Sequence, residues 1–128
     1  MDNPKASLTG LRILVVEDEL LIAMDVEDML IDLRCEPVGP ASTIEAAIEI
    51  IRKDVKLDGV LLDMNLHGKS VLPIVEELVR KGIAFVLVTG YARRADDAAA
   101  MADAPRLSKP FSVPTLSEVL TSTFLNLN

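Results

Sequence analysis

Five short apolar runs alternate with five amphipathic stretches along this chain, and that order leaves few folds open. Arg12–Val16 reads as a β-branched, fully buried strand. Leu20–Leu33 follows with a helical stripe of Ile22, Val26, Met29, Leu30 and Leu33, and with Asp25, Asp28 and Asp32 on the opposite face. Glu36–Val38 is a short strand closed by Gly39-Pro40. Ser42 or Thr43 caps a second helix, whose stripe is Ile44, Ala47, Ile48 and Ile51. Gly59–Leu62 is a third buried strand. His67-Gly68 then marks a turn, and Ser70 is placed to cap a helix to about Arg80, with Pro73 in its first turn and Gly82 as its stop. Ile83–Val88 is the fourth strand, residues 94–103 form a thin, alanine-rich helix, and Arg106–Leu107 is the fifth strand. Ser112 opens a last helix, with Pro114 near its start and Leu116, Val119, Leu120 and Phe124 facing inward. Strict β/α alternation implies a doubly wound α/β fold: a five-stranded parallel sheet with helices on both faces, joined by right-handed crossovers.

A length of 128 residues, half of them apolar, suits one domain with one sheet-centred core. Residues 1–9 read as a loose N-terminal extension and 10–128 as the domain. Aromatic residues are scarce (Phe85, Tyr91, Phe111 and Phe124), so aliphatic side chains must build the core. A net charge of −7, with Arg93-Arg94 the only adjacent basic pair, argues against a nucleic-acid surface. Cys35 has no cysteine to pair with, which points to a reducing compartment. No charged-then-apolar leader opens the sequence and no apolar run approaches a membrane span, so a cytoplasmic, membrane-free protein is expected.

In an open α/β sheet, ligands bind beyond the carboxyl ends of the strands. Those ends carry Glu17 and Asp18, then Asp63, then Thr89, then Lys109-Pro110. Carboxylates gathered at one place repel one another unless a cation joins them. Oxygen ligands without cysteine or clustered histidine suit Mg²⁺, and His67 reads as a solvent-exposed turn residue. Asp63 is the candidate nucleophile, since a carboxylate is ionised at neutral pH and needs no base. Phosphoryl transfer then requires alignment and charge neutralisation. Mg²⁺ and the Lys109 ammonium supply the charge, the Thr89 hydroxyl can hydrogen-bond a phosphoryl oxygen, and small Gly90 keeps the entrance open. The backbone carbonyl of Asn65, two residues past Asp63, is placed to complete the metal shell.

The combination Val16-Glu17-Asp18, Leu62-Asp63-Met64-Asn65, Val88-Thr89-Gly90 and Ser108-Lys109-Pro110-Phe111 resembles the response-regulator receiver family from about residue 11 to residue 125. The resemblance implies a flavodoxin-like strand order of 2-1-3-4-5, a phosphoacceptor role for Asp63, and Mg²⁺ binding by Glu17, Asp18 and Asp63. It implies a switch role for Thr89, phosphoryl sensing by Lys109 and a cis Pro110. It also implies donation from a histidine kinase, a phosphotransfer protein or a small acyl phosphate, in a two-component relay that is signalling rather than enzymatic. The segment Phe85–Tyr91 with Val38–Ala41 looks like a single-domain alphaproteobacterial subgroup carrying a Phe-Ala-Thr-Gly-type motif.

The match departs from the pattern where many receivers carry an aromatic switch, three positions before the strand-five lysine. Here that residue is Arg106, and Tyr91 is the nearest aromatic. Residues 92–104 bury little apolar area, so a weakly anchored fourth helix is expected, against the alternative of an ordinary alanine-favoured one. Among rivals, a haloacid-dehalogenase-like phosphatase would want an Asp where Asn65 stands, together with a cap insertion. A flavodoxin-like cofactor binder would want a phosphate loop in place of Glu17-Asp18-Glu19. A binding-only, phosphorylation-independent module is a further alternative. Output would run through protein contacts or through competition for phosphoryl groups.

Overall fold

The computed structural model describes residues 7–90 and 99–125, the side chains of 99 and 100 excepted. Strands β1 (Arg12–Val16), β2 (Glu36–Ala41), β3 (Gly59–Asp63), β4 (Ala84–Thr89) and β5 (Arg106–Ser108) alternate with helices α1 (Leu20–Asp32), α2 (Ile44–Lys53), α3 (Leu72–Lys81), α4 (Ala99–Ala102) and α5 (Val113–Leu120). The sheet is parallel in the order β2-β1-β3-β4-β5, as expected.

Strand side chains alternate between faces and so divide the core in two. Leu14, Val16, Val60, Leu62 and Leu87 pack under α2 and α3, with Ala47, Ile51, Ile74, Val75 and Leu78. Ile13, Val15, Leu61, Val86, Val88 and Leu107 pack under α1 and α5, with Ala23, Val26, Leu30, Leu116 and Leu120. Burial on both faces explains why β1, β3 and β4 are continuous apolar runs.

Local chemistry sets most helix ends. Thr43 Oγ1 accepts from Ala46 N at 3.0 Å to start α2, and Gly82 ends α3 in the left-handed region at φ 70°. Ser112 Oγ accepts from Thr115 N at 3.4 Å, and Pro114 sits in the first turn of α5.

Several boundaries differ from the sequence reading. Strand β2 does not close at Val38. It passes through a bulge at Gly39 (φ 94°) so that Ala41 pairs with Val16, and Ala41 O then accepts from Glu17 N at 2.9 Å. Ser70 does not cap α3; its Oγ accepts from Leu72 N at 3.2 Å within the preceding turn, and Val71 is the boundary residue. On α1 the fully buried positions are Ala23, Val26 and Leu30, while Ile22, Met29 and Leu33 are half-buried. The last helix widens into a π turn, Thr121–Leu125, that buries Leu125 and leaves Phe124 half-buried. The expected fourth helix is described only over Ala99–Ala102, and residues 94–98 lie outside the described part.

A Cβ on Gly59 would overlap three ring atoms of Phe124, so β3 needs a glycine where the ring lies against it. Gly59→Ala is expected to cost about 1–3 kcal/mol of unfolding free energy through overpacking. In a Phe124→Ala background the same change should cost close to nothing, because the clashing ring is gone. Urea unfolding of the four proteins in this cycle measures the difference, and equal costs in both backgrounds would show that the ring is not the cause.

Candidate phosphoacceptor site

Four elements bring polar groups to one edge of the sheet. Strand β1 ends in Val16, so Glu17 follows directly and stays 5 % exposed. Asp18 comes next, at the entry to α1. Asp63 is the last residue of β3, opposite Val88, and is 3 % exposed. Carboxylate oxygens of Glu17, Asp18 and Asp63 all lie within 4.8 Å of one another.

Lys109 reaches this cluster from the turn after β5. Its Nζ lies 3.4 Å from both Glu17 Oε1 and Asp63 Oδ1. The backbone holds it there: Lys109 N donates to Thr89 O at 2.9 Å, and the Lys109–Pro110 peptide is cis, as the family resemblance implied. Asp63, Asn65, Thr89, Gly90 and Lys109 line an open cleft of about 530 Å³ together with the β3–α3 turn. Asn65 N donates to Asp63 Oδ1 at 3.0 Å, which aims one of the two carboxylate oxygens. A smaller apolar cavity of about 190 Å³ lies behind the cluster, between α1 and the residues that follow β5.

The electrostatics follow from burial and neighbours. Burial pushes the Glu17 carboxyl up to about 7, and Asp63 adds to that rise, against the N–H of Glu19 and the Lys109 ammonium. Asp18 sits low despite partial burial, because His67 N donates to its Oδ2 at 2.9 Å and stabilises the anion. Burial disfavours the Lys109 ammonium, yet the carboxylates of Asp63 and Glu17 outweigh it and raise the group above the ordinary lysine value.

Three hard oxygen donors at such spacing fit a divalent cation that retains several waters, and the donor set contains no sulfur. Glu17, Asp18 and Asp63 are therefore the side chains able to hold Mg²⁺.

The structure thus gathers Glu17, Asp18, Asp63 and Lys109, and sets Thr89, Gly90 and Asn65 around the same cleft. Arg106 stands apart from that cleft. Its Nη1 donates to Met64 Sδ at 3.1 Å and its Nη2 to Met101 O at 3.1 Å. Tyr91 lies outside the described residues. Two contributors carried no sequence signal of their own. The N–H of His67 points back to Asp18 only because His67 adopts φ 54°, and Lys69 lines the cleft only because the turn folds over it.

Comparison with known proteins agrees with this geometry. Residues 13–121 match the response regulator receiver domain model. The transcriptional regulatory protein PdtaR of Mycobacterium tuberculosis is 36% identical over 111 residues, 82% of this chain and 52% of PdtaR. The chain therefore spans about half the length of that relative. The solution structure of SdrG from Sphingomonas melonis Fr1 superposes with a TM-score of 0.77 at 34% identity, covering 92% of this chain and 98% of SdrG. The receiver domain of the sensor histidine kinase PA1611 from Pseudomonas aeruginosa, which has a magnesium ion coordinated in its active-site cleft, shares the fold with a TM-score of 0.79 at 21% identity, covering 93% of this chain and 100% of that one. With the family model matching most of its length and the acidic cluster placed beyond the strand ends, the chain belongs to the response regulator receiver family.

Proposed function

We propose that the protein accepts a phosphoryl group on Asp63 in a Mg²⁺-dependent two-component relay, with a histidine kinase or phosphotransfer protein as donor. The observation that carries this reading is the gathering of Glu17, Asp18 and Asp63 within 4.8 Å of one another, with Lys109 Nζ 3.4 Å from Asp63. Bound Mg²⁺ would supply positive charge against the equatorial phosphoryl oxygens. The chain's own residues do the rest. Asn65 N holds one Asp63 oxygen, leaving the other to attack phosphorus in line with the departing group. Lys109 is close enough to exchange its contact with Asp63 for a phosphoryl oxygen, and Thr89 lines the cleft that the phosphoryl group would enter.

Thr89, Arg106 and Pro110 would carry the change outward, together with Tyr91. Arg106 joins Met64, the neighbour of Asp63, to the Met101 carbonyl at the end of α4. Arg106→Ala is therefore expected to speed amide exchange in residues 99–104 several-fold, while the rate of phosphoryl uptake stays within about twofold. Unchanged exchange would remove Arg106 from the relay. Output would run through protein contacts or through draining phosphoryl groups from another acceptor. No described helix is long and apolar enough to cross a membrane.

The test is incubation with Mg²⁺ and acetyl phosphate, followed by intact-mass measurement. A gain of one phosphoryl group that disappears when the metal is chelated supports the reading; no gain with acetyl phosphate, nor with any phosphorylated histidine donor, rejects it.

A further inference from the structure

The proposed reaction brings a dianionic phosphoryl group to a site that already holds three carboxylates, on a chain of net charge −7. Such a field repels the donor before any chemistry occurs. Lys109 offers little long-range attraction, because its ammonium is already engaged by both Glu17 and Asp63 at 3.4 Å. Among the described residues, one other cationic residue lines the open cleft, Lys69.

Lys69 makes no ion pair among the described residues, so its charge remains available to an incoming ligand. Its backbone is fixed. Lys69 N donates to Leu66 O at 3.0 Å, the Leu66–Lys69 pair forms an antiparallel bridge, and the turn between them runs through left-handed His67 (φ 54°) and Gly68 (φ 71°). The same turn is pinned to the acidic cluster by the hydrogen bond from His67 N to Asp18 Oδ2, at 2.9 Å. Lys69 is thus anchored on the cleft wall in a set relation to the carboxylates, although no ion pair among the described residues uses its ammonium.

We infer that Lys69 is the specificity-determining residue that captures dianionic phosphodonors, small acyl phosphates in particular, by charge. This rests on the phosphoacceptor reading of Asp63. In the step it serves, an Asp63 carboxylate oxygen forms a bond to phosphorus as the bond from phosphorus to the acyl carboxylate oxygen breaks. The carboxylate leaves with the bonding electron pair, and no other reactant is consumed. Lys69 contributes to the approach and not to the transfer, so its effect lies on the second-order rate constant and grows with donor charge.

The experiment compares the wild type, Lys69→Met, Lys69→Glu and Lys69→Arg in single-turnover phosphorylation with Mg²⁺. Dianionic acetyl phosphate and monoanionic phosphoramidate serve as donors across a range of ionic strength. Lys69→Met should lower the acetyl phosphate second-order constant about three- to tenfold and flatten its salt dependence. Lys69→Glu should lower it further, Lys69→Arg should restore it, and phosphoramidate rates should change less than twofold. Equal losses with both donors, or a loss that arginine does not restore, would assign Lys69 to turn structure and overturn the inference. Wild-type rates in Lys69→Met would do the same while leaving Asp63 as the acceptor. Absence of labelling in the wild type would instead reject the underlying reading.

Discussion

Asp63→Asn is expected to abolish phosphoryl uptake outright, with no mass gain from acetyl phosphate under conditions that fully label the wild type. The amide keeps the shape of the carboxylate, and its carbonyl oxygen can still accept from Asn65 N, so the fold is retained. Nucleophilicity is lost because the neutral amide oxygen lacks the charge that attacks phosphorus. Removing the acid also takes one ligand from the cluster and one partner from Lys109. Mg²⁺ affinity should therefore fall in the same variant, as read by titration calorimetry. Labelling equal to wild type would move the acceptor to another side chain.

The second large effect concerns stability without metal. Glu17 is raised to about 7, chiefly by burial, whereas an unfolded glutamate titrates near 4.5. Between those values the folded state keeps a proton that the unfolded state has released. Unfolding free energy must then fall as pH rises from about 4.5 to about 7, and flatten above it. The loss from this group is on the order of 3 kcal/mol. Glu17→Gln should remove that slope and be more stable than wild type at pH near 8 in chelator. Added Mg²⁺ should reverse the order, since at that pH the wild type offers the ion an ionised Glu17 and the glutamine variant binds it weakly. Urea unfolding at several pH values, with and without Mg²⁺, measures both parts. A wild-type curve that rises over this window would show that Glu17 is not buried as a proton holder.

The site was legible in the sequence because a polar residue breaks off each apolar run abruptly: Val16 gives way to Glu17, Leu62 to Asp63, and Val88 to Thr89. A run that short and that apolar is buried on both faces, so the first polar residue after it falls at the sheet edge. Strand β5 was harder to bound, since a three-residue edge strand has little pattern to read. In strand β2, Gly39-Pro40 signals a stop in the sequence, whereas pairing with Val16 carries the strand past it through the bulge. The reach of Arg106 to Met64 and Met101, and the placement of Lys69, depend on how separate elements stack. No local spacing encodes them.

The hydrogen bond between His67 and Asp18 carries a consequence for how the edge of the sheet responds to its own occupant. A single carboxylate oxygen fastens the tip of the β3–α3 turn, and it belongs to the group best placed to greet a cation. Drawing electron density from that oxygen weakens the fastening, while returning it tightens the clasp. The charge on the acidic cluster and the anchoring of the turn thus meet at one atom.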